Sequence, residues 1–340
     1  MIHFREIAAH YGIGSLLSAP SPVLGGLLHT TYRLDAEEGS FALKILNPAV
    51  MKRPEAMDNM IRSEAIARAM AEVVPAVAAV VKDSSPVSLI GGEYVMLYPW
   101  LACRPIFPPK LNARHAAAVG DVLGKMHEAG AALFSSGTIP PAPSSSEPIE
   151  RDWAKIADEA ARSCPGASWL DPLRDAVPLL DGLEEKARAA RLLPSVLSHR
   201  DLDPKNVLWE GPAPRIIDWE SAGETDPASE LTDVLLAWSD KGAGGEDEVL
   251  FRALLDAYRA VRSIEDEDWD AVFDASFRGP LDWLAYNIRR ASGDEDDDHA
   301  DRAHDRSHAR MVGASEVSGT LRALTARIPA LAAARKWMGV

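Results

Sequence analysis

Hydrophobic and polar positions divide the chain into a strand-rich first part and a largely helical second part. Apolar residues at helical spacing from Glu55 to Glu72 predict one helix in the first part, and Pro75 ends it. Short apolar runs separated by the turn-forming segments Gly25-Gly26 and Asp35–Gly39 predict strands around that helix. The predicted elements are a short helix over Phe4–Tyr11 and extended segments over Pro22–Leu24, Thr31–Leu34, Phe41–Leu46, Val77–Val81 and Tyr94–Leu97.

After Pro99 the pattern changes to long amphipathic helices. They are predicted over Arg114–Phe134, Ile149–Arg162 and Leu173–Arg191, and from Pro227 to the end of the chain. A short strand-rich island over Val196–Asp218 interrupts them. The whole pattern predicts an α+β protein, with an antiparallel sheet plus helix in residues 1–99 and a mainly helical region in residues 100–340.

The island carries polar residues in a spacing that suggests chemistry. His199-Arg200-Asp201-Leu202-Asp203-Pro204-Lys205-Asn206 fits the pattern H-x-D-x-x-x-x-N, and Asp218 directly follows an apolar strand 12 positions later. Upstream, Lys44 stands in the middle of the apolar run Phe41–Leu46, where burying an ammonium is costly unless an acid pairs with it. Glu64, on the following helix, is the natural partner.

These residues resemble the kinase-like phosphotransferases, and more narrowly the aminoglycoside phosphotransferase family. The resemblance covers roughly Pro22 to Trp283, and Asp226–Leu231 is similar to the family's Asp-Pro-x-x-Asp-Leu segment with Glu230 for its second Asp. The segment Asp218-Trp219-Glu220 is also similar to the choline kinase pattern. The resemblance implies a bilobal, protein-kinase-like fold, with a nucleotide-binding lobe in residues 1–99 and the catalytic loop and acceptor site in residues 100–340.

The resemblance also implies a role for each residue type in transfer of a phosphoryl group from ATP, or from GTP. Asp201 is the expected catalytic residue, which takes the proton of the acceptor hydroxyl. Lys44, held by Glu64, would bind the α- and β-phosphates, and Asn206 and Asp218, with Glu220 as a further candidate, would bind Mg²⁺ through oxygen. Further nucleotide contacts are expected from Gly25, Gly26, Thr30 or His29, Tyr98 and Trp100. His199, Asp226 and Glu230 are expected to support the catalytic loop, and Asp203, Asp282, Trp283 and Tyr286 are candidates for binding the acceptor.

The sequence departs from related patterns in three places, and the third bears on the class of substrate. No G-x-G-x-x-G is present, and Arg200 stands where aminoglycoside phosphotransferases usually carry Gly. Only 12 positions separate Asp218 from Glu230, which leaves no room for a long activation loop that would bind a protein substrate. The chain is therefore expected to act on a small molecule.

Charge and composition exclude several partners. The net charge of −15 disfavours nucleic acid and anionic membranes, and it weakly favours a cationic acceptor. The charged N-terminus and the lack of a long uncharged apolar stretch predict a cytoplasmic protein. Cys103 and Cys164 are too far apart in sequence for a metal-ligand pattern and are expected to be reduced thiols. No obligate protein partner is evident.

One histidine-rich segment allows a second interpretation. His304 and His308 have the i, i+4 spacing of helical zinc ligands, and His299 lies nearby. Because the surrounding run Asp294–Asp298 is acidic, the segment is expected to be a solvated surface rather than a metal site.

The expected function is ATP-dependent phosphorylation of a hydroxyl on a small, cationic molecule. By resemblance, an aminoglycoside or related antibiotic is the leading acceptor, with antibiotic resistance as the consequence. One alternative is a metabolic kinase of choline, a hydroxy-amino acid or a sugar. An alternative of another class is a kinase-like binding or structural protein without turnover, against which intact Lys44, Asp201, Asn206 and Asp218 argue.

Overall fold

The computed structural model describes residues 2–23, 29–141, 151–242, 245–293 and 303–340, the last range without the side chains of residues 303–310. The chain forms two compact units. The first comprises Met1–Ser144, Ser195–Thr225 and Asp256–Arg262, and the second comprises Ser145–Pro194, Asp226–Leu255 and Ser263–Val340. The lobe boundary expected between residues 99 and 100 stays a prediction.

The first unit contains an antiparallel sheet of five strands and the five other strands of the described residues. Its elements are α1 (Phe4–Tyr11), β1 (Ser21–Val23), β2 (Thr30–Ala36), β3 (Gly39–Ile45), α2 (Pro48–Met51), α3 (Ala56–Met70), β4 (Ser88–Ile90), β5 (Glu93–Pro99), β6 (Arg104–Pro105), α4 (Ala113–Ser136), β7 (Val196–Ser198), β8 (Val207–Glu210), β9 (Ala213–Ile216) and β10 (Gly223–Thr225). The sheet order is β1-β2-β3-β5-β4. Together with the helices of the second unit, this arrangement confirms the predicted α+β class.

The two faces of this sheet have different roles. Alternate side chains of a strand point to opposite faces. Leu43 and Leu97 are fully buried in the hydrophobic cluster that includes residues of α1. Their neighbours in sequence, Lys44 and Met96, pair across β3 and β5 on the other face, where Met96 clusters with Met60 of α3. The alternation therefore presents the Lys44 ammonium on the face that α3 covers.

The strand predicted over Val77–Val81 is wrong. Its backbone is extended, but its N–H groups reach two different elements: Val77 donates to the carbonyl of Ile216 at 2.8 Å and Val80 to that of Leu97 at 2.7 Å. A segment whose hydrogen bonds are divided in this way forms no continuous ladder. It instead connects the five-stranded sheet with the island.

The island, which in the structure extends to Thr225, forms the antiparallel pair β7–β10 and, together with β6, the three-stranded sheet β6-β8-β9. The loop after β7 ends in a 3₁₀ turn over Pro204–Asn206, and the loop after β9 contains a second one over Trp219–Ser221. The Ile217 N–H donates to the Asn206 carbonyl at 3.0 Å, which holds the two loops together. Gly130 of α4 has no room for a side chain, because a Cβ there would lie 2.0 Å from the Leu197 carbonyl oxygen in β7.

The second unit is helical in its described residues. Its helices are α5 (Trp153–Ser163), α6 (Leu170–Ala189), α7 (Pro227–Ser239), α8 (Glu248–Arg259, whose last turn belongs to the first unit), α9 (Trp269–Ala275), α10 (Arg278–Ser292) and α11 (Ala303–Met338). Helices α10 and α11 approach closely where a Cβ on Gly313 would lie 2.7 Å from the Ala291 nitrogen. None of the helices in the described ranges has the length and apolar character that a membrane crossing requires.

Candidate active site

The loop that follows β7 holds the predicted base in a defined geometry. The Asn206 amide donates from Nδ2 to Asp201 Oδ2 at 2.9 Å and to the Asp201 carbonyl at 2.8 Å. His199 Nε2 donates to the Ile217 carbonyl at 2.9 Å, while its Nδ1 accepts the Asp201 N–H at 3.2 Å. These contacts place one neutral tautomer of His199 between the two loops, which is the arrangement that its predicted supporting role requires.

The residue before the base has an uncommon backbone conformation. Arg200 has φ +65° and Asp218 has φ +63°, in the left-handed region that residues other than Gly seldom adopt. Glycine adopts this conformation without steric cost, which gives a physical reason for the Gly that related sequences usually carry at the position of Arg200. Backbone strain of this kind concentrates at functional sites.

Lys205 is a site residue that the sequence reasoning missed. Its Nζ lies 3.2 Å from Asp201 Oδ1 and 3.3 Å from Asp203 Oδ2. Burial raises the pKa of the Asp201 carboxyl, and the attraction of Lys205 opposes that rise only in part. The i, i+4 spacing of Asp201 and Lys205 was the signal in the sequence that could have shown the contact.

The predicted phosphate-binding lysine reaches the island. Lys44 Nζ lies 2.7 Å from Asp218 Oδ1 and 2.5 Å from Glu220 Oε1. Burial alone would lower the pKa of Lys44, but the two carboxylates outweigh it and the pKa is raised. Lys44 and the residues of both island loops all belong to the first compact unit.

The expected ion pair between Lys44 and Glu64 is not formed among the residues that the structure describes. Glu64 is buried, and its carboxylate accepts the Tyr98 hydroxyl and the Ala79 N–H, each at 2.7 Å. Burial raises the pKa of Glu64 although both hydrogen bonds lower it. Tyr98 stands between the two charges, because the Lys44 ammonium lies 5.9 Å from the centre of its ring. Asp218 and Glu220, whose carboxylates are closer, therefore pair with Lys44 in place of Glu64.

Glu220, a candidate metal ligand in the sequence, is engaged through both oxygens. One contacts Lys44, and Oε2 lies 3.2 Å from His29 Nε2. His29 is buried, and its Nδ1 accepts the Asn47 N–H at 2.9 Å, so its proton is on the nitrogen that faces Glu220. Burial would raise the pKa of Glu220, but His29 and Lys44 lower it to about 2. Glu220 is thus a counter-ion of Lys44, and its metal role stays a prediction.

The remaining oxygen donors suit a magnesium ion. Asn206 uses its amide nitrogen for Asp201, which leaves the side-chain oxygen for a cation, and Asp218 contacts Lys44 through one oxygen only. Mg²⁺ prefers oxygen ligands, and it commonly takes one or two from protein and the rest from phosphates and water. No cluster of three or more His, Cys, Asp or Glu that could bind a metal occurs in the described residues. Asn206 and Asp218 fit a site that the nucleotide completes.

Four other residues predicted to contact the nucleotide are Gly25, Gly26, Thr30 and Trp100. Gly25 and Gly26 lie outside the described residues. Thr30 begins β2 and pairs with Ile45. The Trp100 ring is covered by the Arg33 guanidinium at 5.0 Å. The nucleotide roles of Thr30 and Trp100 stay predictions.

The predicted residues of the second unit are described by themselves. Asp226 is the N-cap of α7, since its Oδ1 accepts the Ser229 N–H at 2.8 Å, and Glu230 is buried in the same helix. On α10, Asp282 forms an ion pair with Arg151, and the rings of Trp283 and Tyr286 are stacked with centroids 5.5 Å apart. Their predicted roles toward the catalytic loop and the acceptor stay predictions.

The histidine segment lies outside the residues whose side chains the structure describes. His299 lies outside the described residues, and the side chains of His304 and His308 are not described. Of the segment, the structure gives only the helical backbone of α11 from Ala303 onward.

Comparisons with known proteins give the family to which the chain belongs. Residues 20–264 match the profile of the phosphotransferase enzyme family. A homoserine kinase from Rhodopseudomonas palustris is 28% identical over 77% of this chain and 76% of its own length. A homoserine kinase from Pseudomonas aeruginosa is 30% identical over 56% of this chain and 58% of its own length.

Solved structures show the same fold at low sequence identity. A spectinomycin phosphotransferase in complex with ADP and spectinomycin has a TM-score of 0.62 and 12% identity, over 92% of this chain and 96% of its own. A choline/ethanolamine kinase family protein from Mesorhizobium loti has a TM-score of 0.51 and 19% identity, over 96% of both chains. The chain therefore belongs to the phosphotransferase enzyme family, and it is an enzyme that transfers a phosphoryl group to an alcohol acceptor.

Proposed function

We propose that this enzyme uses ATP and Mg²⁺ to phosphorylate the hydroxyl of a small hydroxy-amino acid such as homoserine. The observation that carries the chemistry is one hydrogen-bonded arrangement within one unit. Asn206 donates to Asp201, Lys44 donates to Asp218, and the Ile217 N–H joins the two loops at the Asn206 carbonyl. The acceptor class rests on the curated relatives, which match this chain at 28% and 30% identity and are homoserine kinases.

The residues divide the work of phosphoryl transfer. Asp201 takes the proton from the acceptor hydroxyl while that oxygen bonds to the γ-phosphorus and the bond to the bridging β–γ oxygen breaks, so that ADP leaves. Lys44 binds phosphate oxygens and neutralises their charge. Magnesium, held by Asn206 and Asp218, would supply further charge neutralisation at the phosphates when bound.

An aminoglycoside remains the second candidate acceptor. Antibiotic kinases such as the spectinomycin phosphotransferase share the fold, but at 12% identity that likeness concerns the fold alone. The sequence relatives therefore favour the hydroxy-amino acid. Antibiotic resistance and a cationic acceptor stay predictions, which a resistance assay on cells that express the chain would test.

Incubation of the purified chain with Mg-ATP and separate acceptors tests the proposal. The acceptors are homoserine, choline and an aminoglycoside, with ADP release and mass detection of the phosphate adduct as readouts. We expect a homoserine adduct that Asp201→Asn abolishes and that Asp121→Asn, a change in an exposed acid of α4, leaves intact. An adduct on the aminoglycoside alone would replace the acceptor, and failure of all three acceptors together with absent Mg-ATP binding would favour a non-catalytic protein.

A further inference from the structure

The catalytic loop presents alternate residues to solvent. Leu202, Pro204 and Asn206 are buried, whereas the side chains of Asp201, Asp203 and Lys205 are 32%, 43% and 54% exposed. These three side chains, two half-buried and one exposed, form one contiguous group, which is called the loop triad below. A cation between two carboxylates is thus displayed beside the base itself.

The loop backbone holds the triad in place. The 3₁₀ turn over Pro204–Asn206 closes with the Asn206 N–H donating to the Asp203 carbonyl at 2.9 Å. The buried Asn206 is fixed in turn by its bonds to Asp201 and Ile217. Because the backbone beneath it is fixed at both ends, the triad is preorganised and needs little ordering when a ligand arrives.

The triad retains one free group of each sign. An ammonium has three N–H donors. The Lys205 ammonium contacts two carboxylates, those of Asp201 and Asp203, which leaves one donor. Asp203 contacts Lys205 through Oδ2, which leaves Oδ1 for another donor. A molecule whose hydroxyl contacts Asp201 therefore has a spare N–H donor and a spare carboxylate oxygen beside it.

We propose that Lys205 and Asp203 recognise the carboxylate and the ammonium of a zwitterionic hydroxy-amino acid whose hydroxyl contacts Asp201. This inference rests on the proposed function and adds the residues that select the acceptor. A hydroxy-amino acid carries its two charged groups only a few bonds from the reacting hydroxyl, within reach of the triad.

The same contacts allow a second hypothesis, in which Lys205 binds the phosphates of the nucleotide. Lys44 already brings an ammonium to the two carboxylates of the other loop. The contacts of Lys205, by contrast, lie entirely on the acids of the base loop. The position of its partners thus favours a task at the acceptor.

Three acceptors and four variants separate these readings by steady-state kinetics. The acceptors are homoserine, aminopropanol, which is homoserine without its carboxylate, and hydroxybutyrate, which is homoserine without its amino group. The variants are Lys205→Met, Lys205→Arg, Asp203→Asn and the control Lys125→Met, which removes an exposed lysine with the same i, i+4 pairing to an aspartate on α4.

The expected pattern is reciprocal. Lys205→Met raises KM for homoserine and hydroxybutyrate about tenfold, the cost of one charge-assisted hydrogen bond at an exposed site, and leaves aminopropanol and ATP unchanged. Asp203→Asn raises KM for homoserine and aminopropanol and leaves hydroxybutyrate unchanged. Lys205→Arg restores most of the affinity, because it keeps the positive charge, and Lys125→Met matches the unsubstituted chain.

Other outcomes overturn the inference in distinguishable ways. If Lys205→Met lowers kcat equally for all acceptors at constant KM, Lys205 serves the transfer step and the recognition role is wrong. If it changes nothing while homoserine is phosphorylated, only this inference fails. If the unsubstituted chain phosphorylates none of the three but does phosphorylate an aminoglycoside, the acceptor of the proposed function fails and takes the inference with it.

Discussion

Lys44 and Lys205 each lie between two carboxylates, but their surroundings differ. The Lys44 side chain is 15% exposed, and its partners Asp218 and Glu220 are 174 and 176 positions away in the chain. The Lys205 side chain is 54% exposed, and its partners Asp201 and Asp203 belong to its own loop. Lys44 therefore joins segments that are distant in the sequence, whereas Lys205 contacts acids of its own loop.

The carboxylates of the two lysines respond differently to their environments. Burial favours the neutral form of both, but His29 and Lys44 overcome it at Glu220 and lower its pKa to about 2. At Asp201 burial prevails and the pKa is raised, because Lys205 is exposed and shared with Asp203. Contact with a lysine is thus not sufficient to predict a shift, and the balance between burial and the nearby positive charges decides its sign.

The largest expected effect follows from removing the buried lysine. Lys44→Met should lower kcat/KM about 10²–10³-fold, because the site loses the ammonium that neutralises phosphate charge. Initial rates of ADP release with homoserine measure the loss, with Lys125→Met as the matched control. Activity within twofold of the unsubstituted chain would show that Lys44 does not contact the nucleotide.

Acid titration tests the buried group, because the pKa of Glu220 is lowered whereas that of Asp201 is raised. The folded pKa of Glu220 is below its ordinary value of 4.5, so the folded state binds fewer protons than the unfolded state between 4.5 and about 2. The stability that Glu220 contributes is therefore complete above pH 4.5 and is lost as pH falls toward 2. Urea unfolding across this range should show a smaller loss for Glu220→Gln than for the unsubstituted chain. An equal loss in both would mean that Glu220 is not the group that titrates.

Substitution of Tyr98 tests the hydrogen bond to the buried Glu64 carboxylate. Tyr98→Phe removes the hydroxyl that Glu64 accepts and should cost about 1–2 kcal/mol in the free energy of unfolding. Tyr94→Phe is the matched control on β5, since the Tyr94 hydroxyl makes no hydrogen bond among the described residues. Equal stabilities of the two variants by chemical denaturation would contradict the importance of the Tyr98–Glu64 bond.

The smallest expected effect is the stability cost of removing the exposed lysine. Lys205→Met should change the free energy of unfolding by less than about 1 kcal/mol, because an exposed ion pair is screened by water and salt. Thermal or urea unfolding beside the Lys44→Met variant gives the comparison. A loss at Lys205 as large as that at Lys44 would place Lys205 in the framework of the loop rather than at the acceptor.

Local patterns were sufficient for much of the fold and for the loop of the base. The helix over Phe4–Tyr11 is confirmed, and α3 and α4 differ from their predicted ranges by one or two residues at each end. The Asp201–Asn206 contact joins residues five positions apart, so the spacing of the motif already contained it. By contrast, Val77–Val81 was mistaken for a strand, since its apolar character does not show where its hydrogen bonds go.

The sequence alone determined the class of the fold and the spacing that places Asn206 beside Asp201, since periodicity and short spacings act over a few residues. Only the tertiary structure decided that Lys44 pairs with Asp218 and Glu220 and that Glu64 turns to Tyr98. Those choices depend on which carboxylate comes closest after distant segments have packed. A Coulomb interaction depends on distance in space and on local burial, and no spacing along the chain encodes either of them.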